Sequence, residues 1–134
     1  MSREPNTNIT QPLFTEDDVI FAYTRAQAIE DGVLVDVTEM AQEAGFAWPV
    51  AVTAAVWALI HDIPPRFQGI QDVEGRLWDV VWMASWAARR NAGTQTLYSL
   101  ILHHGRKTYA TLKMVAGPGD EWEPVITIML PNED

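Results

Sequence analysis

The stretch 75–93 constrains the fold more than any other part of this chain. It reads Gly75-Arg-Leu-Trp-Asp-Val-Val-Trp-Met-Ala-Ser-Trp-Ala-Ala-Arg-Arg-Asn-Ala-Gly93, has no proline, and predicts one helix closed by Gly93. Trp78, Trp82 and Trp86 recur at i, i+4 and i+8, a band drifting about 40° per step at 3.6 residues per turn. Leu77, Val81, Ala84 and Ala88 form an adjacent strip, and small Ala84, Ser85, Ala87 and Ala88 permit close approach of another element. Arg89 and Arg90 fall in the last turn, where cations favour the negative end of the helix dipole. Aromatic rings at helical spacing bury about 150–250 Å² each, so this reads as a core helix with its tryptophans facing inward.

The segments before it are shorter. Residues 1–18 read as a flexible, acidic N-terminal arm, 19–131 as a single domain and 132–134 as a tail. Thr24 and Gln27 make a capping-box pattern for a helix over about 25–31 that stops at Gly32. Residues 33–37 are β-branched and predict an extended segment or short strand. Thr38 is placed to cap a second helix ending at Gly45, and Phe46, Trp48 and Pro49 make an aromatic turn. Thr53 opens a third helix over 54–61, apolar on nearly all sides and closed by Pro64 and Pro65. After Gly93 the apolar period changes to two, predicting strands over 96–104, 109–116 and 124–130 joined by turns at 105–107 and 117–120. The fold class expected is α+β: N-terminal helices and one long Trp-rich helix on one face of a C-terminal three-stranded antiparallel meander.

Composition excludes several kinds of chemistry. With 134 residues and 48% apolar residues the chain can bury a core without staples. It has no cysteine, so thiolate metal sites, disulfides and cysteine nucleophiles are excluded, in keeping with a reducing cytoplasm. The first twenty residues are polar and lack a signal-peptide core, and no apolar run is long enough to span a bilayer. A cytoplasmic location is expected. The net charge of −9 is unevenly placed: −8 over residues 1–62, +4 over 63–116 and −5 over 117–134. An acidic chain is poorly suited to direct nucleic-acid binding; on charge alone the acids serve solubility first, and steering towards a protein with a basic surface is the alternative.

Several motifs in order resemble a known family. They are Tyr23-Thr-Arg-Ala-Gln-Ala-Ile-Glu-Asp-Gly-Val-Leu-Val-Asp-Val37, Gly45-Phe46 with Pro49-Val-Ala-Val-Thr53, and Gly75-Arg-Leu-Trp-Asp-Val-Val-Trp82. Leu112-Lys113, Gly117-Pro-Gly-Asp120 and Pro124-Val-Ile-Thr-Ile128 continue the likeness. The chain resembles, over about 19–131, a family of small bacterial proteins of uncharacterised function carried on plasmids, integrative elements and phages. That resemblance implies a genomic setting and, by association, an anti-restriction or anti-CRISPR role. It implies no catalytic residue.

The residues themselves offer little reactive chemistry. His103 and His104 are adjacent on a strand and point to opposite faces, and Pro65 stands four residues after His61 where a second ligand is needed. Ser85 and Ser99 lie in no nucleophile elbow, and 117–120 lacks the Lys-Ser/Thr of a phosphate loop and reads as a β-turn. No metal, cofactor or catalytic residue is therefore expected. The candidate partner-binding residues are the carboxylates Glu16, Asp17, Asp18, Glu30, Asp31, Glu39 and Glu43, with Arg76 and Trp78 as a polar-aromatic cluster that also suits a surface pair or core packing. Three functions stay open: a non-enzymatic accessory protein that blocks a host protein through an acidic surface, a small-ligand binder or enzyme with a helix–sheet pocket near His61 or His103, and a self-associating protein using a tryptophan face or free strand edge.

Overall fold

The computed structural model describes residues 23–69, 72–91, 93–103 and 107–134. In chain order the elements are α1 (Arg25–Glu30), β1 (Leu34–Asp36), α2 (Thr38–Glu43), β2 (Val50–Thr53), α3 (Ala54–His61), a 3-10 turn (Pro65–Phe67), α4 (Val73–Arg90), β3 (Gln95–His103), β4 (Lys107–Pro118) and β5 (Pro124–Met129). Local chemistry sets most boundaries. The Thr24 hydroxyl accepts from the Gln27 amide, and the Gln27 side chain accepts from the Thr24 amide, each at 3.0 Å. Gly32 and Gly45 adopt φ +80° and +110° after α1 and α2, a backbone that side chains with a Cβ resist. The Thr53 hydroxyl accepts from the Val56 amide and starts α3.

Three local expectations are corrected. Thr38 is not a cap: Val37 holds that position, and the Thr38 hydroxyl donates to Asp36 Oδ1 at 2.5 Å and accepts from the Val50 amide at 3.1 Å. Helix α4 starts before Gly75, because the Asp72 carboxylate caps it by accepting from the Gly75 amide at 2.7 Å. Its end is the extended Asn91, and Gly93 lies beyond, donating its amide to Asn91 Oδ1 at 2.8 Å.

The expected three-stranded antiparallel meander is overturned. The sheet has five strands in the order β1-β2-β5-β4-β3 and is mixed, since β2 runs parallel to β5 with Val50 opposite Ile126 and Val52 opposite Ile128. The antiparallel β3–β4–β5 hairpins are present, but they form one side of a wider sheet. Strand β1 lies within the 33–37 segment expected to be extended or a short strand. Strand β2, four residues long and running straight into a helix cap, is too short to show a period, and its strand character comes from partners distant in sequence.

One face of the sheet carries Val35, Val50, Val52, Ile126, Ile128, Leu112, Met114, Tyr98, Leu100 and Leu102, which meet Ala41, Val56, Ile60, Leu77, Val80, Val81 and Ala84 from the helices. The reading of α4 changes here. The stripe pressed on the sheet is the strip of small and aliphatic residues, while Trp78 and Trp82 are half-buried and Trp86 is exposed. Close approach explains this: the Tyr98 hydroxyl donates to the Val80 carbonyl at 3.0 Å, leaving no room for indoles between helix and strand. The rings pack along the helix flank instead, Trp78 on Trp82 at 5.5 Å and Trp82 edge-on to Trp86 at 6.1 Å. Helix α3, apolar on nearly all sides, fully buries only Val56 and Ile60. Among the described residues no helix is long and apolar enough to cross a membrane.

Candidate partner-binding face

The opposite face of the sheet is built around Arg25. Its guanidinium donates from one nitrogen to Thr127 Oγ1 at 2.7 Å and from another to the Ile126 carbonyl at 2.8 Å. Asp120, at the end of Gly117-Pro-Gly-Asp120, accepts from the backbone amides of Arg25 and Ala26 at 2.7 and 3.0 Å. The turn between β4 and β5 thereby caps α1, a link between two parts of the chain far apart in sequence. The Ala26 and Arg25 amides, and then the Arg25 charge, hold the Asp120 carboxyl below its ordinary pKa. Burial lowers the Arg25 pKa, while Asp36, Asp120 and Glu123 favour its charged form.

Around this clasp lies a shallow depression of about 350 Å³, where Asp36, Asp120 and Glu123 share the lining with Arg25 and Thr38. The sequence candidates fall beside it or away from it. Glu39 and Glu43 are exposed on α2, one turn apart and following directly on Thr38. Glu30 and Asp31 are exposed at the far end of α1, where Asp31 accepts from the Tyr23 hydroxyl at 2.7 Å. That bond raises the Tyr23 pKa. Glu16, Asp17 and Asp18 lie outside the described residues.

Arg76 and Trp78 are not part of this face. Arg76 is 4% exposed, and its guanidinium donates to the carbonyls of Leu59 and Asp62 at 3.2 and 2.9 Å, closing the C-terminal end of α3. Burial lowers its pKa, with Asp62 acting in the opposite sense. Trp78 is half-buried against the core cluster. The polar-aromatic pair is thus a helix clamp beside a packed ring, and the carboxylates are left as the exposed set.

Residues missed in the sequence complete the face. Trp122 is 82% exposed and, with φ 66°, is the one non-glycine described residue in the left-handed region. It sits between Glu121 and Glu123, exposed beside Asp120. The turn is held by Gly119 and Trp122 amides donating to the Glu123 and Gly119 carbonyls at 2.6 and 3.1 Å, and by the Glu121 amide donating to Glu123 Oε1 at 2.9 Å. The available signal was a tryptophan flanked by glutamates in a short turn, in a tail already counted as acidic.

His61 ends α3, with Nδ1 2.9 Å from the Trp57 carbonyl and its ring 4.5 Å from the Trp57 ring. Among the described residues no three of His, Asp and Glu come together to hold a metal ion. A separate cavity of about 400 Å³ opens between the loop after α2 and the loop after α4, lined by Phe46, Trp48, Asn91, Thr96, Met114 and Ile126 among others, without His61. Residues 10–134 match a family of unknown function, DUF6573. The chain belongs to DUF6573. No curated protein and no solved structure matches it.

Proposed function

We propose that this DUF6573 protein is a non-enzymatic binding protein that engages the basic surface of another protein through the face formed by α1, β1, α2 and the β4–β5 turn. The observation that carries this reading is Trp122, exposed in a left-handed backbone at the tip of a hydrogen-bonded turn and flanked by Asp120, Glu121 and Glu123. A bulky residue held in an unfavourable conformation and left in water lowers stability in the free protein. An aromatic anchor ringed by charge is the composition of an interface hot spot, and the carboxylates add steering towards cationic groups. Glu39 and Glu43 on α2, and Glu30 and Asp31 at the end of α1, are the further exposed carboxylates. In keeping with the sequence resemblance, the partner we propose is a host protein of a mobile element's cell, of the kind that handles nucleic acid in restriction or CRISPR defence. Direct nucleic-acid or membrane binding forms no part of this reading.

The test is capture of partners on the tagged protein from host lysate at low and high salt, with identification by mass spectrometry, repeated with Trp122→Ala and with Glu39→Lys/Glu43→Lys. A stoichiometric partner that is released by salt and weakened about 30-fold by Trp122→Ala supports the reading, since a hot-spot truncation costs about 2 kcal/mol or more. A partner retained equally by all three proteins would overturn it.

A further inference from the structure

The far edge of the sheet carries a different surface. Strand β3 is nine residues long and, among the described residues, pairs only with β4. The Ala116 amide donates to the Thr94 carbonyl at 2.7 Å, and Gln95 stands opposite Val115. Thr94 and Ala116 are therefore a hydrogen-bonded pair, and the antiparallel alternation turns the amides and carbonyls of Thr96, Tyr98 and Leu100 towards β4. Those of Leu97, Ser99 and Ile101 point to the open edge.

Edge strands are ordinarily blocked by proline, a bulge or a charged residue, lysine above all. None of these occurs between Asn91 and Leu102, and the pairing with β4 runs one to one from Gln95↔Val115 to His103↔Lys107. Leu97, 60% exposed, and Ile101 stand on the outer face of this edge. Beside it runs a groove of about 310 Å³ whose banks are Met83, Ala87 and Arg90 of α4 and Thr96 to Ser99 of β3.

We propose that β3 pairs antiparallel with β3 of a second copy of this chain, about a two-fold axis at Ser99, making one continuous ten-stranded sheet. Two features select a second copy over a foreign strand. The register centred on Ser99 is self-complementary: it sets Leu97 against Ile101 of the second copy, and Ile101 against its Leu97, as apolar cross-strand pairs. Charge acts in the same direction. A protein of net −9 meets its own copy only where acids are absent, and residues 80–119 contain no Asp or Glu. The acidic face lies around β1, at the opposite edge of the sheet, so pairing at β3 avoids self-repulsion and leaves that face free. The groove is repeated on the second copy, as an isologous two-fold interface requires.

The chain has no cysteine, so a single introduced one reports the axis directly. Residues across a hydrogen-bonded antiparallel pair stand about 5.5 Å apart at Cα, within the roughly 4.4–6.8 Å that a disulfide spans. Under mild oxidation Ser99→Cys is expected to convert most of the protein to a reducible covalent dimer, whereas Gln42→Cys on exposed α2 forms no covalent dimer. By sedimentation equilibrium the full chain should show twice its 15.0 kDa mass. Leu97→Lys should return it to one chain mass with unchanged circular dichroism, and adding Ile101→Glu to that variant should restore the dimer through paired charges. A single-chain mass at every concentration together with no Ser99→Cys cross-link would overturn the proposal. So would a dimer that Leu97→Lys leaves intact, or an edge occupied by a foreign peptide in place of a second copy.

Discussion

The two halves of the sheet's outer face are closed in different ways. Over β1, β2, β5 and the part of β4 around Lys113 the surface is tied down by polar contacts from distant segments. Arg25 reaches Thr127 and the Ile126 carbonyl, Asp120 caps α1, and the buried Lys113 ammonium donates to the Glu133 carbonyl. Glu133 in turn accepts from the Thr53 hydroxyl and the Leu130 amide, each at 2.8 Å, so this residue of the 132–134 tail is bonded to the sheet. Over β3 and the part of β4 at 109–111 the same face has Leu97, Ile101 and the 79%-exposed Tyr109 in water, and the Ser99 and Thr111 hydroxyls pair there at 3.1 Å. The two halves thus differ in how their polar groups are satisfied: the first is tied by side chains from distant segments and carries acids at its rim, and the second ends, among the described residues, in a β3 edge that pairs only with β4.

Substitutions on the core face and on the open half of the outer face give the widest contrast. Ile128, fully buried on β5, should lose about 3 kcal/mol of unfolding free energy as Ile128→Ala through lost burial and a residual cavity. Tyr109→Thr on the open half should stay within about 0.5 kcal/mol. Urea denaturation of both variants measures the contrast, and a comparable loss at Tyr109 would mean that the open face is covered in solution. Next in size is Arg25→Met, which removes two charge-assisted hydrogen bonds and leaves Asp36, Asp120 and Glu123 facing one another; about 2 kcal/mol is expected. The same denaturation series checks it, and a neutral result would break the clasp account of the closed half.

A smaller effect runs the other way. Trp122→Gly should raise stability by up to about 1 kcal/mol, because glycine tolerates the positive φ that a tryptophan resists. Thermal melts show whether the gain accompanies a loss of partner binding, which is the pattern expected when a site rather than the fold selects the residue. The smallest effect is in pH. The Asp120 pKa is lower in the folded chain than its ordinary 3.8, so the native state binds fewer protons there. Its stabilisation is complete above that value and is lost as pH falls through the folded pKa. Melting temperature measured between neutral and strongly acid pH should therefore fall more steeply in the natural protein than in Asp120→Asn, and parallel curves would remove Asp120 from the clasp.

Local signals in the sequence determined much of this protein: the capping box at Thr24 and Gln27, the left-handed glycines at 32 and 45, the α3 cap at Thr53, the long helix and the three C-terminal strands. Each depends on contacts within a few residues, so the chain spells it out directly. The acid excess at both ends was equally legible, as was likeness to a family of unknown function. Tertiary structure alone decided the rest. It made a strand of Val50–Thr53 through parallel pairing with β5, turned the tryptophans of α4 to its flank because Val80 had to approach Tyr98, and drew Arg76 inward to the carbonyls ending α3. It also joined Asp120 to Arg25 and so gathered a turn and a helix of opposite ends into one acidic surface. These are pairings between segments far apart in sequence, where strand register, helix approach and charge neutralisation depend on the partner rather than on the segment itself.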